Sequence, residues 1–180
     1  MALTKVTMGL LGGLVAKVQE IMRDYNIVLG EAKAATGTFV DFDIPAGVKR
    51  ITVMLDGVST NGSSTPSVQI GSGSVDSAGY SSTGFVLASL SVAGHVLVSN
   101  SFLLGAGGGT ADVRNGKASL IHVGGNTWVF DCMLGYSSSD VSASGVGRKQ
   151  LSATLDRIRI TTVNGTDQFD AGTINVSWEF

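Results

Sequence analysis

The chain is poor in charge, cysteine, histidine and proline. Lys, Arg, Asp and Glu make up 14% of its 180 residues, and the formal net charge is -2. Gripping nucleic acid or an anionic membrane surface takes a concentrated basic face. The 12 Lys and Arg residues are scattered, with Arg157 and Arg159 the tightest pair, so no nucleic-acid partner is expected. A single cysteine, Cys132, excludes an intrachain disulfide, and folding does not require an oxidising compartment. It stands in an apolar strand pattern and reads as a small core residue. The two histidines, His95 and His122, are far apart and have no carboxylate or cysteine at ligand spacing. No metal or other cofactor is expected.

No apolar run reaches the roughly 20 residues of a membrane span, so no membrane insertion is expected. The stretch from Met8 to Ala16 (MGLLGGLVA) continues in helical register and reads as helix rather than as a signal-peptide core. Signatures of catalysis are missing as well. There is no G-x-S-x-G elbow. Gly71-Ser72-Gly73 and Gly107-Gly108-Gly109 lack the Lys-Ser/Thr that completes a phosphate loop. Two carboxylate pairs, Asp41/Asp43 and Asp167/Asp170, have spacings that suit glycosidic hydrolysis. They read more simply as a solvated strand face and as turn-forming aspartates, the second pair also having the composition of a calcium site. The chain is not expected to be an enzyme.

What is present is a high proportion of apolar residues, 43%, with 25 glycines and only two prolines. That is enough for a packed core, with glycine turns between short strands. Low charge with positive mean hydropathy points to a protein with much of its surface in subunit contacts.

The hydrophobic period divides the chain. From Met8 to about Leu29 it is helical: Leu11, Leu14, Val18, Ile21, Tyr25 and Val28 form a seam with alternating spacings of three and four. A helix this short, with Gly12 and Gly13 near its start, is marginal alone and needs a partner. Copies of itself in a parallel coiled coil, its own β domain, or another protein would each serve. Glu31 to Gly37 reads as a linker, and the expected division is residues 1–34 and 35–180.

From Thr38 the period is two. Val40, Phe42 and Ile44 share a face; so do Ile51, Val53 and Leu55, and Trp128, Phe130, Cys132, Leu134 and Tyr136. Ile158 with Ile160, and Ile174, Val176, Trp178 and Phe180, continue the pattern. Weaker strands fall near Ser67–Ile70, Gly84–Val92, Val96–Leu104 and Lys117–Val123. Nine or ten strands separated by turns predict an all-β fold. The expected form is a jelly-roll-like antiparallel β-sandwich preceded by one short amino-terminal α-helix. Asn164-Gly165 fits a tight hairpin turn.

Four blocks carry a resemblance: VKRITV at Val48–Val53, GVSTNG at Gly57–Gly62, GYSS at Gly79–Ser82 and LDRIRITTVNGTD at Leu155–Asp167. Together they resemble the carboxy-terminal β-sandwich module of tailed-bacteriophage tail fibres and tail spikes, over about Ala35 to Phe180. Met1 to Thr7 (MALTKVT) is similar to the start of such proteins, where that segment docks on the virion. The resemblance implies a virion protein that is a homotrimer. Its amino terminus, with Ala2, Leu3, Thr4, Lys5 and Val6, would dock on a phage tail or capsid protein. Leu11, Leu14, Val18, Ile21 and Tyr25 would line the subunit interface. The β-sandwich would contact a host surface glycan or protein. The usual long shaft is replaced here by a short helix, which leaves a compact appendage. The alternative is a capsid decoration, head-fibre or tail-assembly protein without receptor binding.

The resemblance identifies no ligand-binding residue. By composition alone, Tyr80, Asn126 and Tyr136 are candidates, since polar groups match sugar hydroxyls and rings stack on sugar faces. Tyr136 also falls on the apolar strand face, which makes it a core candidate. The segments from Gly71 to Gly84 and from Gly105 to Gly116 read as loops at one end of the sandwich, suited to host contact.

Overall fold

A computed structural model describes residues 12–18, 27–88, 91–137 and 140–180. Residues 12–18 are helical, and all seven are exposed. Fourteen strands follow: β1 (Val28–Leu29), β2 (Lys33–Ala34), β3 (Phe39–Asp43), β4 (Arg50–Thr60), β5 (Pro66–Ser72), β6 (Ser74–Val75) and β7 (Tyr80–Ala88), then β8 (Ser91–Val98), β9 (Phe102–Leu103), β10 (Arg114–Gly124), β11 (Thr127–Tyr136), β12 (Val141–Gln150), β13 (Arg157–Thr162) and β14 (Phe169–Glu179). Ten have five or more residues, the number that the turn spacing predicts.

The strands form two antiparallel sheets. The large one runs β1-β14-β4-β10-β11-β12-β7-β8, with β2 also on β14; the small one runs β3-β13-β5-β6, with β9 also on β5. From β2 to β5 the chain alternates between the sheets, and β13 and β14 return in the same alternation. Because β3 pairs with β13 and β4 with β14, the two arms wind round the sandwich together, as in a jelly roll. Strands β11, β12, β7 and β8 widen the large sheet beyond that frame.

Alternation decides which side chains meet between the sheets. Val40, Phe42, Ile51, Val53, Leu120, Phe130, Leu134, Ile158, Ile160, Ile174 and Val176 fill the core. Trp178 packs against this core but is only half-buried, because it lies at the sheet margin over Gly30. Phe102 is fully buried, stacked on Phe130 at 4.8 Å and edge-on to Tyr80 at 4.9 Å. Glycines on the inner face of the large sheet admit this short strand. A Cβ at Gly145 would stand 2.0 Å from the carbonyl oxygen of Leu103, and one at Gly84 would stand 1.9 Å from that of Gly105.

Several sequence expectations are corrected. Helical spacing carried the first element to Leu29, but Val28 and Leu29 are extended and pair with Trp178 and Ser177. The expected linker contains β2, and Ala35 is buried. Two apolar residues, Val28 and Leu29, fit either period, and pairing to β14 settles them. The strand expected over Gly84–Val92 is divided: β7 ends at Ala88 and β8 begins at Ser91. β12 escaped detection because Ser, Ala and Gly alternate in it without a hydrophobic contrast.

Candidate functional site

The sandwich has two distinguishable ends. The described chain enters beside the last residues of β14, with Val28 opposite Trp178, and runs antiparallel to β14 until Gly37 bridges Phe169. The entry end therefore carries the turns at 44–49, 124–126 and 151–156. The far end carries the connections at 61–65, 104–113 and 163–168.

At the far end two of the four resembling blocks, Gly57–Gly62 and Leu155–Asp167, meet, while Val48–Val53 and Gly79–Ser82 lie towards the entry end. Asn61 N–H donates to Gln168 O at 2.9 Å, and Gln168 N–H donates back to Asn61 Oδ1 at 2.8 Å. Ser64 N–H donates to Asp167 Oδ2 at 2.8 Å, and Asn164 N–H donates to Ser64 Oγ at 3.0 Å. Asn164 Oδ1 accepts from the Thr166 and Asp167 N–H groups, and its amide donates to Asp167 Oδ1 at 2.7 Å. Gly165 takes a positive φ of +69°, but the expected tight hairpin is corrected: β13 and β14 lie in different sheets, so the Asn164-Gly165 turn carries the chain from one sheet to the other. The Asn164 amide, then the Ser64 N–H, hold the Asp167 carboxyl below its ordinary range. These motif residues lock two turns together, which is turn chemistry rather than ligand chemistry.

Next to this clamp, segment 104–113 closes over Arg114. That side chain is fully buried. Its Nη1 donates to Asp112 O at 3.3 Å and its Nη2 lies 3.5 Å from Asp112 Oδ2, while Nε finds no partner. The guanidinium lies over the Tyr136 ring at 5.1 Å, and the Tyr136 hydroxyl is likewise buried without a partner. Asp112 Oδ2 also accepts the Gly109 N–H at 2.6 Å. A Cβ at Gly108 would stand 2.6 Å from Arg114 Nη2, so the loop lies directly on the charge. Sequence reasoning passed over Arg114, although it keeps the inward register of Ala118 and Leu120, a signal that could have marked it.

The candidate residues fare differently. Tyr80 is buried at the entry end. Its hydroxyl accepts the Ile70 N–H at 2.8 Å and reaches Ile70 O and Asp76 O, and burial pushes its pKa well up. Tyr136 is core, as its strand face predicts. Neither ring can stack on a sugar without unfolding its surroundings, which corrects the composition-based expectation. Asn126 is half-exposed in a recess of about 320 Å³ with Lys49, His122, Trp128 and Thr154. There His122 Nε2 lies 2.7 Å from Gly125 O, and its ring is 5.1 Å from that of Trp128.

The two expected loops lie at opposite ends. Gly71 to Gly84 is mostly strand at the entry end: Gly71 ends its pairing beside Arg157, and a Cβ there would stand 1.9 Å from Ser74 O. Lys149 holds residues 76–80 in place, 2.8 Å from Asp76 Oδ2 and 2.7 Å from Ala78 O. Of the two expected loops, only the second, irregular over 104–113, lies at the far end.

Of the expected interface seam, Leu14 and Val18 fall in the described helix and are exposed at 63% and 47%. Leu11, Ile21 and Tyr25, and the docking residues Ala2, Leu3, Thr4, Lys5 and Val6, lie outside the described residues. The carboxylate pairs do not converge on a site. Asp41 makes a two-pronged bond to Arg159, each contact 2.7 Å, and Ser59 donates to Asp170. Among the described residues no group of three His, Cys, Asp or Glu could hold a metal, and no helix is long and apolar enough to cross a membrane. Cys132 is buried, its thiol pushed up to about 12 by desolvation.

The fold defines a jelly-roll-type β-sandwich with a glycine-rich loop and a turn clamp at one end. Comparison with family models, with curated proteins and with solved structures finds no match.

Proposed function

We propose that the chain is a bacteriophage virion structural protein, a compact homotrimeric tail-fibre-like appendage. It docks on a tail or capsid protein through its amino terminus and contacts the host surface through its β-sandwich. The observation that carries this reading is the polarity of the sandwich. The chain enters beside the end of β14, so an anchor at the amino terminus turns the 61–65, 104–113 and 163–168 connections outward. The exposed Leu14 and Val18 support a helix that finds its partner outside its own β domain.

A second reading, a capsid decoration or tail-assembly protein without receptor binding, is favoured by one observation. The polar side chains of the far-end clamp are spent on each other. Adsorption separates the two. Purified protein should bind host cells and compete with intact particles, and replacing residues 107–111 with a short Gly-Ser turn, which keeps Asp112 on Arg114, should abolish both effects while the trimer persists. Undiminished competition by that variant refutes host contact at the far end. Absence of binding by the unaltered protein favours the second reading.

A further inference from the structure

We propose that the outer face of the large sheet, across β10, β11, β12, β7 and β8, is the surface through which copies of this chain pack on one another. The proposal rests on the self-assembly in the function proposed above and assigns it a surface on the β domain.

The two sheets present different faces outward. The small sheet shows charge that is internally paired: Asp41 bonds to Arg159, and Arg157 to Asp156 at 2.8 Å. Arg159 also lies over the Phe39 ring at 3.8 Å. That is a water-facing surface. The large sheet breaks the rule that an antiparallel sheet turns polar residues to solvent. In β11, Val129 is opposite Ile121 of β10, and Met133 is opposite Lys117. On the other side Asp131 is opposite Val146 of β12, and Val146 is opposite Thr83 of β7, whose outer neighbour is Leu97 of β8. Ile121, Val129, Val146, Met133, Leu87 and Leu97 are all exposed, Met133 at 63% and Leu97 at 72%. Between them stand Ser and Thr residues, Ser119, Ser144 and Thr83 among them, with the charged Lys117, Asp131 and Arg148. An apolar surface of this extent on a chain with so little charge marks a contact.

Size and charge name the occupant. Five strands at ~4.8 Å spacing and about nine residues at ~3.3 Å rise give a face of roughly 600–700 Å². That is close to the ~800 Å² per partner of a stable interface. The face also carries its own complement. Asp131 on β11 lies between the strands bearing Lys117 and Arg148, and none of the three forms an ion pair among the described residues. Three copies turned about a common axis, each setting part of this face on the next, bring Asp131 against a neighbour's Lys117 or Arg148. A foreign partner has no reason to match that + − + order.

The test is sedimentation of the full-length chain beside Val129→Lys/Met133→Glu, with Asp43→Lys on the small sheet as control. All these positions are exposed in the single chain, so circular dichroism of the variants should match that of the unaltered protein, while their melting falls only by the stabilisation that association supplies. Val146→Lys is the single substitution to use should the pair fail to fold. The expected result is an oligomer for the unaltered chain and the control, and self-association weakened at least about 100-fold in the face variants. Folded face variants that assemble as the unaltered chain does, or a control that dissociates equally, overturn this surface but leave the trimer standing. A monomeric unaltered chain overturns both.

Discussion

Removing either member of the Arg114–Asp112 pair should change stability in opposite directions. Arg114 is fully buried, so its charge has lost its water, yet its replacements are thin: contacts of 3.3 and 3.5 Å to one residue, and Nε unpartnered. A buried, incompletely bonded charge costs several kcal/mol in desolvation, and attraction to one partner offsets only part of it. Asp112→Ala leaves the guanidinium uncompensated and removes the acceptor of the Gly109 N–H. Breaking a buried pair costs ~3–5 kcal/mol, and a lost hydrogen bond ~1 kcal/mol. Asp112 is 22% exposed and the contact is long, which places the total near the low end, about 3 kcal/mol. Arg114→Met replaces the charge with an apolar chain of similar length that still packs on Tyr136. It should be neutral, or stabilising by about 1 kcal/mol. The double variant should then fall only about 1 kcal/mol below Arg114→Met, the loss of the Gly109 N–H acceptor, since Asp112 has no charge left to neutralise. Urea denaturation followed by Trp fluorescence measures all three. At ~2–4 °C per kcal/mol for a chain of this size, Asp112→Ala should melt about 6–12 °C lower. A strongly destabilised Arg114→Met beside a mild Asp112→Ala would refute the reasoning, because it would mean that the arginine stabilises through packing and carbonyl contacts instead of being a tolerated charge.

Phe102→Ala should destabilise by about 4–5 kcal/mol, since it empties a fully buried site and removes two ring contacts; a loss under about 2 kcal/mol in urea would show that β9 is not fixed in the core. Gly145→Ala should cost more than an ordinary small-to-larger change, over about 2 kcal/mol, because the Leu103 backbone stands 2.0 Å from the new Cβ and cannot rotate away; unchanged melting would refute the close approach. The depressed Asp167 carboxyl contributes stability that is present above its unfolded pKa and is lost as pH falls through the lower folded value. Asn164→Ala removes its main cause, so stability measured from pH 6 down to about 2 should fall less steeply at the acid end; an unaltered acid slope would show that the amide does not hold the carboxylate.

The sequence by itself determined what depends on neighbours along the chain. Alternation at Val40–Phe42–Ile44, Trp128 to Tyr136 and Ile158–Ile160 marks strands and their buried faces, because side chains two apart in a strand share a side wherever that strand goes. That the chain turns at Asn164-Gly165 was legible for the same reason, since its backbone requirement lies in two adjacent residues, but that the turn crosses between sheets instead of closing a hairpin was not. The all-β sandwich follows from those signals added together. Tertiary structure decided whatever depends on which segments meet. Val28 and Leu29 fit a helical seam or a strand, and only β14 beside them selects the strand. The Gly- and Ser-rich β12 has no contrast of its own and exists because β11 and β7 flank it. Tyr80 offers the composition of a sugar platform, but Ile70 and Asp76 claim its hydroxyl. Gly145 signals flexibility in sequence, whereas in space it makes room for Leu103. Arg114 looks like any surface charge until the closed 104–113 segment and Tyr136 surround it. Some of these contacts join residues tens of positions apart and others, such as Tyr80 with Asp76, only a few, but none follows the period of a helix or a strand.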